Sequence, residues 1–306
     1  MNQAATNPEQ ESTRGAAGWS ERGMGHNWQH RFFHVLIRTL GKRPAYHMVY
    51  IVTFWYILVN GSLRQRTRYY LDRRFPHRGA VRRFFDSWRL VRNFGIALVD
   101  LAVLRILGNS AFSITSPDHD RLMKLCDSPK GFVLLNAHIG CWQVGLSTLG
   151  HLRKPISLVM IPDPRMLSML KQYPVTVIDP QRGLEAVVEM MGVLERGEIL
   201  CLMGDRVFGV EQNTVTVNFL DGEIKVPMSP YRLASAAGVP VVVLTAPKTG
   251  YRSYEFRLAR VIDVPTGLGR KPANYTPYAG QFVECLETFV KDYPWQYYNF
   301  YNLWSA

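Results

Sequence analysis

The 306-residue chain has only four cysteines, Cys126, Cys141, Cys201 and Cys285, and no two are close enough to form a C-x-x-C pair. This spacing excludes a zinc knuckle and a disulfide framework and favours a reducing compartment. None of the eight histidines stands in an H-E-x-x-H or a paired Cys/His spacing, so no metal site is expected. No G-x-G-x-x-G follows a strand-like run and no P-loop occurs, which argues against a dinucleotide cofactor and P-loop phosphate chemistry. A G-x-S-x-G nucleophile elbow is also missing. The amino-terminal residues hold no apolar core followed by a small-residue cleavage site, so a removable secretory signal is not expected.

Positive charge is what the chain has in excess. The formal net charge is +12, with 47% apolar and 20% charged residues, enough to bury one sizeable core beside an appendage. Residues 1–100 hold sixteen Lys or Arg against six Asp or Glu, a net of +10; residues 101–306 hold twenty against eighteen, a net of +2. No zinc finger, helix-turn-helix spacing or aromatic-plus-glycine motif accompanies the charge, so nucleic acid is not the expected partner.

Residues 1–27 are polar and read as a disordered tail. Residues 28–92 read as a basic, apolar helical segment that associates with a membrane. Its most apolar stretch, Ala45 to Val59, reads AYHMVYIVTFWYILV. As a helix this covers roughly 22 Å, short of the ~30 Å of hydrocarbon in a bilayer. Arg31, Arg38, Lys42 and Arg43 precede it, and Arg64, Arg66, Arg68, Arg73, Arg74 and Arg78 follow it. Cations on both flanks suit a helix dipping into, or lying on, an anionic membrane face. A buried helix with a solvated basic collar is the alternative.

From about residue 93 the pattern becomes α/β. FVLLNA (132–137), ISLVMI (156–161), VTVID (175–179), ILCLMGD (199–205) and VPVVVLTA (239–246) are short β-rich runs. Helical spacing lies between them, clearest at Leu184, Val187, Val188, Met191 and Leu194, which predict one buried helix face. Alternating strands and helices predict a largely parallel central sheet covered by helices on both faces. TVTVNFLDGEIKVP predicts a hairpin turning at Asp221-Gly222, and YEFRLARVID one further strand. Residues 93–306 are thus expected to form one α/β domain.

In such sheets chemistry gathers beyond the carboxyl ends of the strands. His138 directly follows FVLLNA, and Gly204, Asp205 and Arg206 follow ILCLM, so two polar loops are expected to face one pocket. Cys141 is better explained by packing than as a nucleophile.

The chain resembles the bacterial lysophospholipid acyltransferase superfamily, in its lipid A biosynthesis (late) acyltransferase-like branch, over nearly its whole length from about residue 31. NAHIGCWQVG, with His138, is similar to that family's first motif, a His followed by an acid. IDPQRG, with Arg182, stands where the second, Arg-containing block falls. MGDRVFG, with Gly204, Asp205 and Arg206, resembles the third block, and AGVPVVVL the fourth. The resemblance implies a glycerolipid acyltransferase-like fold with an amino-terminal membrane anchor. It implies transfer of a fatty or related polyene acyl chain from a thioester to a hydroxyl of a lipid or glycolipid acceptor, with His138 as general base. It also implies substrate binding by Arg206, Arg182 and Gly204. No cofactor is implied beyond the thioester co-substrate, acyl carrier protein or coenzyme A. The expected partners are acyl carrier protein, a membrane lipid acceptor and an anionic membrane surface, at the cytoplasmic face of the bacterial inner membrane.

The sequence departs from the motif at Gln143, where the family carries Asp or Glu. An amide oxygen can orient the imidazole but cannot neutralise an imidazolium. Three readings follow, in order of expectation: Gln143 orients His138, Asp205 completes the pair, or the centre is degenerate and the chain binds acyl lipids without catalysis. N-acylation of an amine acceptor is a further alternative. Backbone N–H groups at the start of the helix after Ile139 are expected to hold the oxyanion. The aromatic tail YPWQYYNFYNLW is expected to wrap the core, with a seat at the membrane interface as the other reading.

Overall fold

The fold comes from a computed structural model, which describes residues 27–141, 144, 152, 154–171, 173–207 and 213–304. The expected disordered tail lies almost wholly outside them, as does Gln143. Among the described residues four helices come first: α1 (Asn27–Leu40), α2 (Lys42–Val59), α3 (Gly61–Arg74) and the 28-residue α4 (Ala80–Leu107). The α/β alternation starts at Ser113, later than residue 93, because α4 carries the apolar helical spacing of Leu90, Val91, Ala97, Val103 and Leu104 through to Leu107.

After α4 come β1 (Ser113–Thr115), α5 (His119–Asp127), β2 (Phe132–Asn136), β3 (Ile156–Val159), α6 (Pro164–Leu170) and β4 (Val175–Ile178). Then follow α7 (Leu184–Glu195), β5 (Ile199–Met203), β6 (Thr214–Phe219), β7 (Gly222–Pro227), α8 (Ser229–Ala237), β8 (Val241–Thr245), β9 (Ser253–Glu255), β10 (Arg257–Ile262) and α9 (Thr276–Asp292). The main sheet has the order β10-β8-β2-β5-β3-β4, parallel throughout except for β10, which runs antiparallel along β8.

β2, β5 and β8 are apolar throughout, save for Asn136 and Thr245 at the ends of β2 and β8, because both faces of the sheet are covered. Val133 and Leu135, Leu200 and Leu202, and Val241 and Val243 feed the core shared with α4 and α9. Phe132 and Leu134, Ile199 and Cys201, and Val242 and Leu244 feed the opposite core, against Leu122 and Cys126 of α5. The predicted parallel strands are all present.

Three local expectations are corrected. In α7 the buried residues are Ala186, Met190, Val193 and Leu194, while Leu184, Val187 and Val188 are exposed. The segment LEAVVEMMGVLE is apolar on both sides, so spacing alone does not choose its inner face. The β6–β7 hairpin turns at Leu220-Asp221, both at positive φ (48° and 58°), with Phe219 paired to Gly222. Gly222 serves close approach instead: a Cβ there would lie 2.3 Å from Arg73 Nη1 and 2.7 Å from Trp304 Cδ1. The run YEFRLARVID divides at Phe256 into β9, paired with β1, and β10, paired with β8.

A buried polar cluster joins the amino-terminal helices to the end of the sheet. Asp100 of α4, fully buried, accepts from the phenols of Tyr46 and Tyr254 and from Lys248 Nζ at 2.6 Å. Lys42 of α2 lies 4.2 Å from the Phe112 ring centre and 4.7 Å from that of Tyr251. Burial pulls its ammonium down to about 8, with Asp100 opposing and Lys248 and Arg252 adding to the fall. A buried carboxylate lacking such partners would be strongly destabilising.

Candidate active site

β2 and β5 are parallel neighbours with Asn136 opposite Met203. His138 and Asp205 stand two residues beyond those paired positions, so one register carries both side by side. At the ~4.8 Å spacing of neighbouring strands an imidazole reaches a carboxylate directly. His138 Nδ1 lies 2.9 Å from Asp205 Oδ1 and 3.2 Å from Oδ2, and the His138 backbone N–H donates to Oδ2 at 3.0 Å. The Asp205 side chain is 1% exposed, whereas that of His138 keeps 26% of its surface open.

Burial alone would push the Asp205 carboxyl up. The His138 ring and its hydrogen bond, the Arg206 charge and the His138 amide outweigh burial and hold it below the usual carboxylate range. An ionised acceptor opposite Nδ1 keeps the proton on that nitrogen and leaves the Nε2 lone pair available. The structure thus pairs His138 with Asp205, the second of the three sequence readings. Gly204 sits between the paired strand ends, its N–H donating to Asn136 O at 2.8 Å. A Cβ there would fall 2.8 Å from Leu135 Cδ1 and 2.9 Å from Phe282 Cζ, so packing accounts for the glycine.

The loop after His138 is laid against the end of β8. Gly140 has φ +57°, and a Cβ on it would sit 2.2 Å from the Ala246 carbonyl oxygen. That oxygen accepts the Cys141 N–H at 3.0 Å, and Cys141 itself is buried, as its packing role requires. Of the expected oxyanion donors, the amides of residues 142 and 143 lie outside the described residues. The amides of Ile139, Gly140, Cys141 and Val144 donate to the carbonyls of Ala137, Gln296, Ala246 and Cys141, so all four are committed within the fold.

Arg206 is brought to the pair and Arg182 is not. Arg206 Nη2 donates to the Tyr298 carbonyl at 2.8 Å, and its guanidinium lies 5.3 Å from the Tyr301 ring centre. Arg182 follows β4, separated from β2 by β5 and β3, about 14 Å at ordinary strand spacing. It is ion-paired with Glu185 and, at 2.7 Å, with Glu189.

The tail contributes residues that the sequence reading did not assign to the site. Tyr297 forms an antiparallel bridge with Ile139, the Tyr298 N–H donates to His138 O at 2.8 Å, and Tyr301 Oη donates to Asp205 O at 3.4 Å. Tyr297, Tyr298, Asn299 and Phe300 are buried, so the tail wraps the core. The density of aromatic residues in YPWQYYNFYNLW was the available signal, but it does not say which loops they meet.

A family model described as bacterial lipid A biosynthesis acyltransferase matches residues 22–306. Comparison with curated proteins gives no match. Among solved structures, the chain is similar to the 1-acyl-sn-glycerophosphate (LPA) acyltransferase PlsC from Thermotoga maritima. The identity is 12% and the TM-score 0.39, over 82% of this chain and 99% of that one.

Proposed function

We propose how transfer proceeds in a chain that belongs to the bacterial lipid A biosynthesis acyltransferase family and is an acyltransferase acting on lipid substrates. His138 is the general base and Asp205 its carboxylate partner. With Nδ1–H donating to Asp205, Nε2 takes the proton of an acceptor hydroxyl as its oxygen attacks the thioester carbon. The tetrahedral intermediate collapses by breaking the carbon–sulfur bond, and the departing thiolate recovers the proton from Nε2. The products are the acylated lipid and a free thiol, with no acyl-enzyme. Asp205 stays ionised and stabilises the imidazolium, a service the Gln143 amide cannot give.

The contact between His138 and Asp205 carries this reading, because it supplies the acid that the local motif lacks. The donor is an acyl thioester of carrier protein or coenzyme A. Carrier proteins are acidic, and the net +10 of residues 1–100 would speed their approach at low salt. Among the described residues no helix is long and apolar enough to cross a membrane. We place the protein on the cytoplasmic face of the inner membrane through α2, whose Ile51, Phe54, Trp55 and Leu58 form an exposed apolar stripe. No Asp or Glu occurs between Glu21 and Asp72, so nothing on this stretch of chain repels anionic headgroups.

The test is mass spectrometry of total envelope lipid incubated with detergent-solubilised protein and a panel of acyl-carrier-protein and acyl-coenzyme A thioesters. Wild type is expected to yield a new acylated lipid, and His138→Ala to lower its rate by roughly 10²–10⁴-fold. Undiminished product from His138→Ala would remove His138 as the base.

A further inference from the structure

Among the described residues, the two loops that carry the pair are hydrogen-bonded to each other through His138 and Asp205, and both are also fastened to a third segment. Tyr298 lies between them. Its N–H donates to the His138 carbonyl, and its own carbonyl accepts Arg206 Nη2, each at 2.8 Å. One peptide residue of the tail is therefore bonded both to the base and to the neighbour of its carboxylate. Gln296 adds a second fastening: its carbonyl accepts the Gly140 N–H at 2.8 Å, while its side chain closes a two-bond ring with the Lys248 backbone, 2.9 Å in each direction. Tyr301 adds a third through the Asp205 carbonyl, and its ring lies beside the Arg206 guanidinium.

The tail is itself held from behind by the amino-terminal helices. Tyr70 Oη donates to Pro294 O at 2.7 Å, Asn93 Nδ2 to Trp295 O at 3.1 Å, and Trp295 Nε1 to the buried Asp86 at 3.2 Å. A segment anchored on that side and bonded on the other to both catalytic loops fixes their relative placement.

We infer that Gln296–Tyr301 is the positioning element of the His138–Asp205 pair, and that Arg206 acts through it as a positioning residue and not as a ligand of the substrate. The inference rests on the reading of His138 and Asp205 as base and partner. A guanidinium committed to a main-chain carbonyl and an aromatic face is built to hold a loop. Displacing a base by about 1 Å can cost up to about 100-fold in rate without changing what binds.

The experiment compares wild type, Arg206→Gln, Arg206→Lys and Tyr301→Phe, each as full-length protein in detergent. Thiol release from dodecanoyl-acyl carrier protein is followed against increasing total envelope lipid. In parallel, the histidine ring nitrogens are observed by NMR with selective ¹⁵N labelling, and His138 is assigned by subtraction of the His138→Ala spectrum. Arg206→Gln is expected to lower kcat by roughly tenfold or more with half-saturating donor and lipid within twofold of wild type, and to lose the single Nδ1–H tautomer of His138. Arg206→Lys, which keeps a donor for the Tyr298 carbonyl, is expected to recover part of both. Tyr301→Phe, a change of one hydroxyl, is expected to move them in the same direction by less.

A rise in half-saturation at unchanged kcat, with the His138 signal intact, would overturn the inference and make Arg206 a substrate ligand. Unchanged kinetics and ring signals in all three variants would reduce the tail to packing. Should wild type show no His138-dependent transfer, the proposed chemistry fails, while the ring signals still decide whether the tail positions the pair.

Discussion

Gly140 and Asp205 set the active loop from opposite sides. Gly140 takes a left-handed conformation only two residues after the base, with its α-carbon pressed against the Ala246 carbonyl. Gly140→Ala pays for both the positive φ and the clash, and is expected to cost about 1–3 kcal/mol. Thermal unfolding of the solubilised protein checks this as a drop of several degrees in midpoint, and an unchanged midpoint would contradict the close approach. Asp205 works by charge. His138 and Asp205 were each legible as polar residues beyond an apolar run, because strand ends are written locally. Their pairing was not, since it depends on β2 and β5 being neighbours in register, and strand order is set by helices and cores far along the chain. Gln143, five positions from His138, was the nearer candidate by sequence and therefore stood first.

Secondary-structure elements follow the sequence where a short apolar run is bounded by turn residues, and diverge where a helix is apolar on more than one side. β2, β5 and β8 are short apolar runs between turn residues, and each appears within two residues of its expected bounds. α7 shows the opposite case, with Val187 and Val188 as apolar as the buried Ala186 and Val193. The hairpin turns one residue earlier than expected, and Gly222 instead lies beneath Arg73 and Trp304, 149 and 82 residues away in the chain. α2 is apolar all round, and the structure divides it into a buried face, Ala45, Tyr46, Val49 and Ile57, and an open one. Ile51 and Trp55 on the open face are 67% and 60% exposed. Replacing both with Glu is expected to reduce binding to phosphatidylglycerol vesicles at low salt by tenfold or more, on the order of two apolar side chains' burial. Co-sedimentation measures it, and equal binding by the double variant would mean that α2 does not face the lipid.

At the scale of the whole molecule, the amino-terminal helices, the sheet and the tail form one structure around the site. The Asp100 cluster ties α2 and α4 to the end of β8, and the tail passes from α9 across the exits of β2 and β5, held behind by Tyr70, Asp86 and Asn93. That the tail wraps the core is an expectation of the sequence, but the partners that fasten it are not legible there. The aromatic residues and scattered acids of these contacts have no periodicity of their own and acquire partners only once the fold has brought distant chain together. What was legible was the class of fold and the family, because those rest on local runs and motif order. The central claim is that Asp205 supplies the carboxylate that position 143 does not. The most direct measurement is the rate of lipid acylation by wild type, Asp205→Asn and Gln143→Glu under one set of conditions. The account predicts a loss of roughly 10²–10⁴-fold in Asp205→Asn and little change in Gln143→Glu. A rate retained in Asp205→Asn together with a large gain in Gln143→Glu would contradict it.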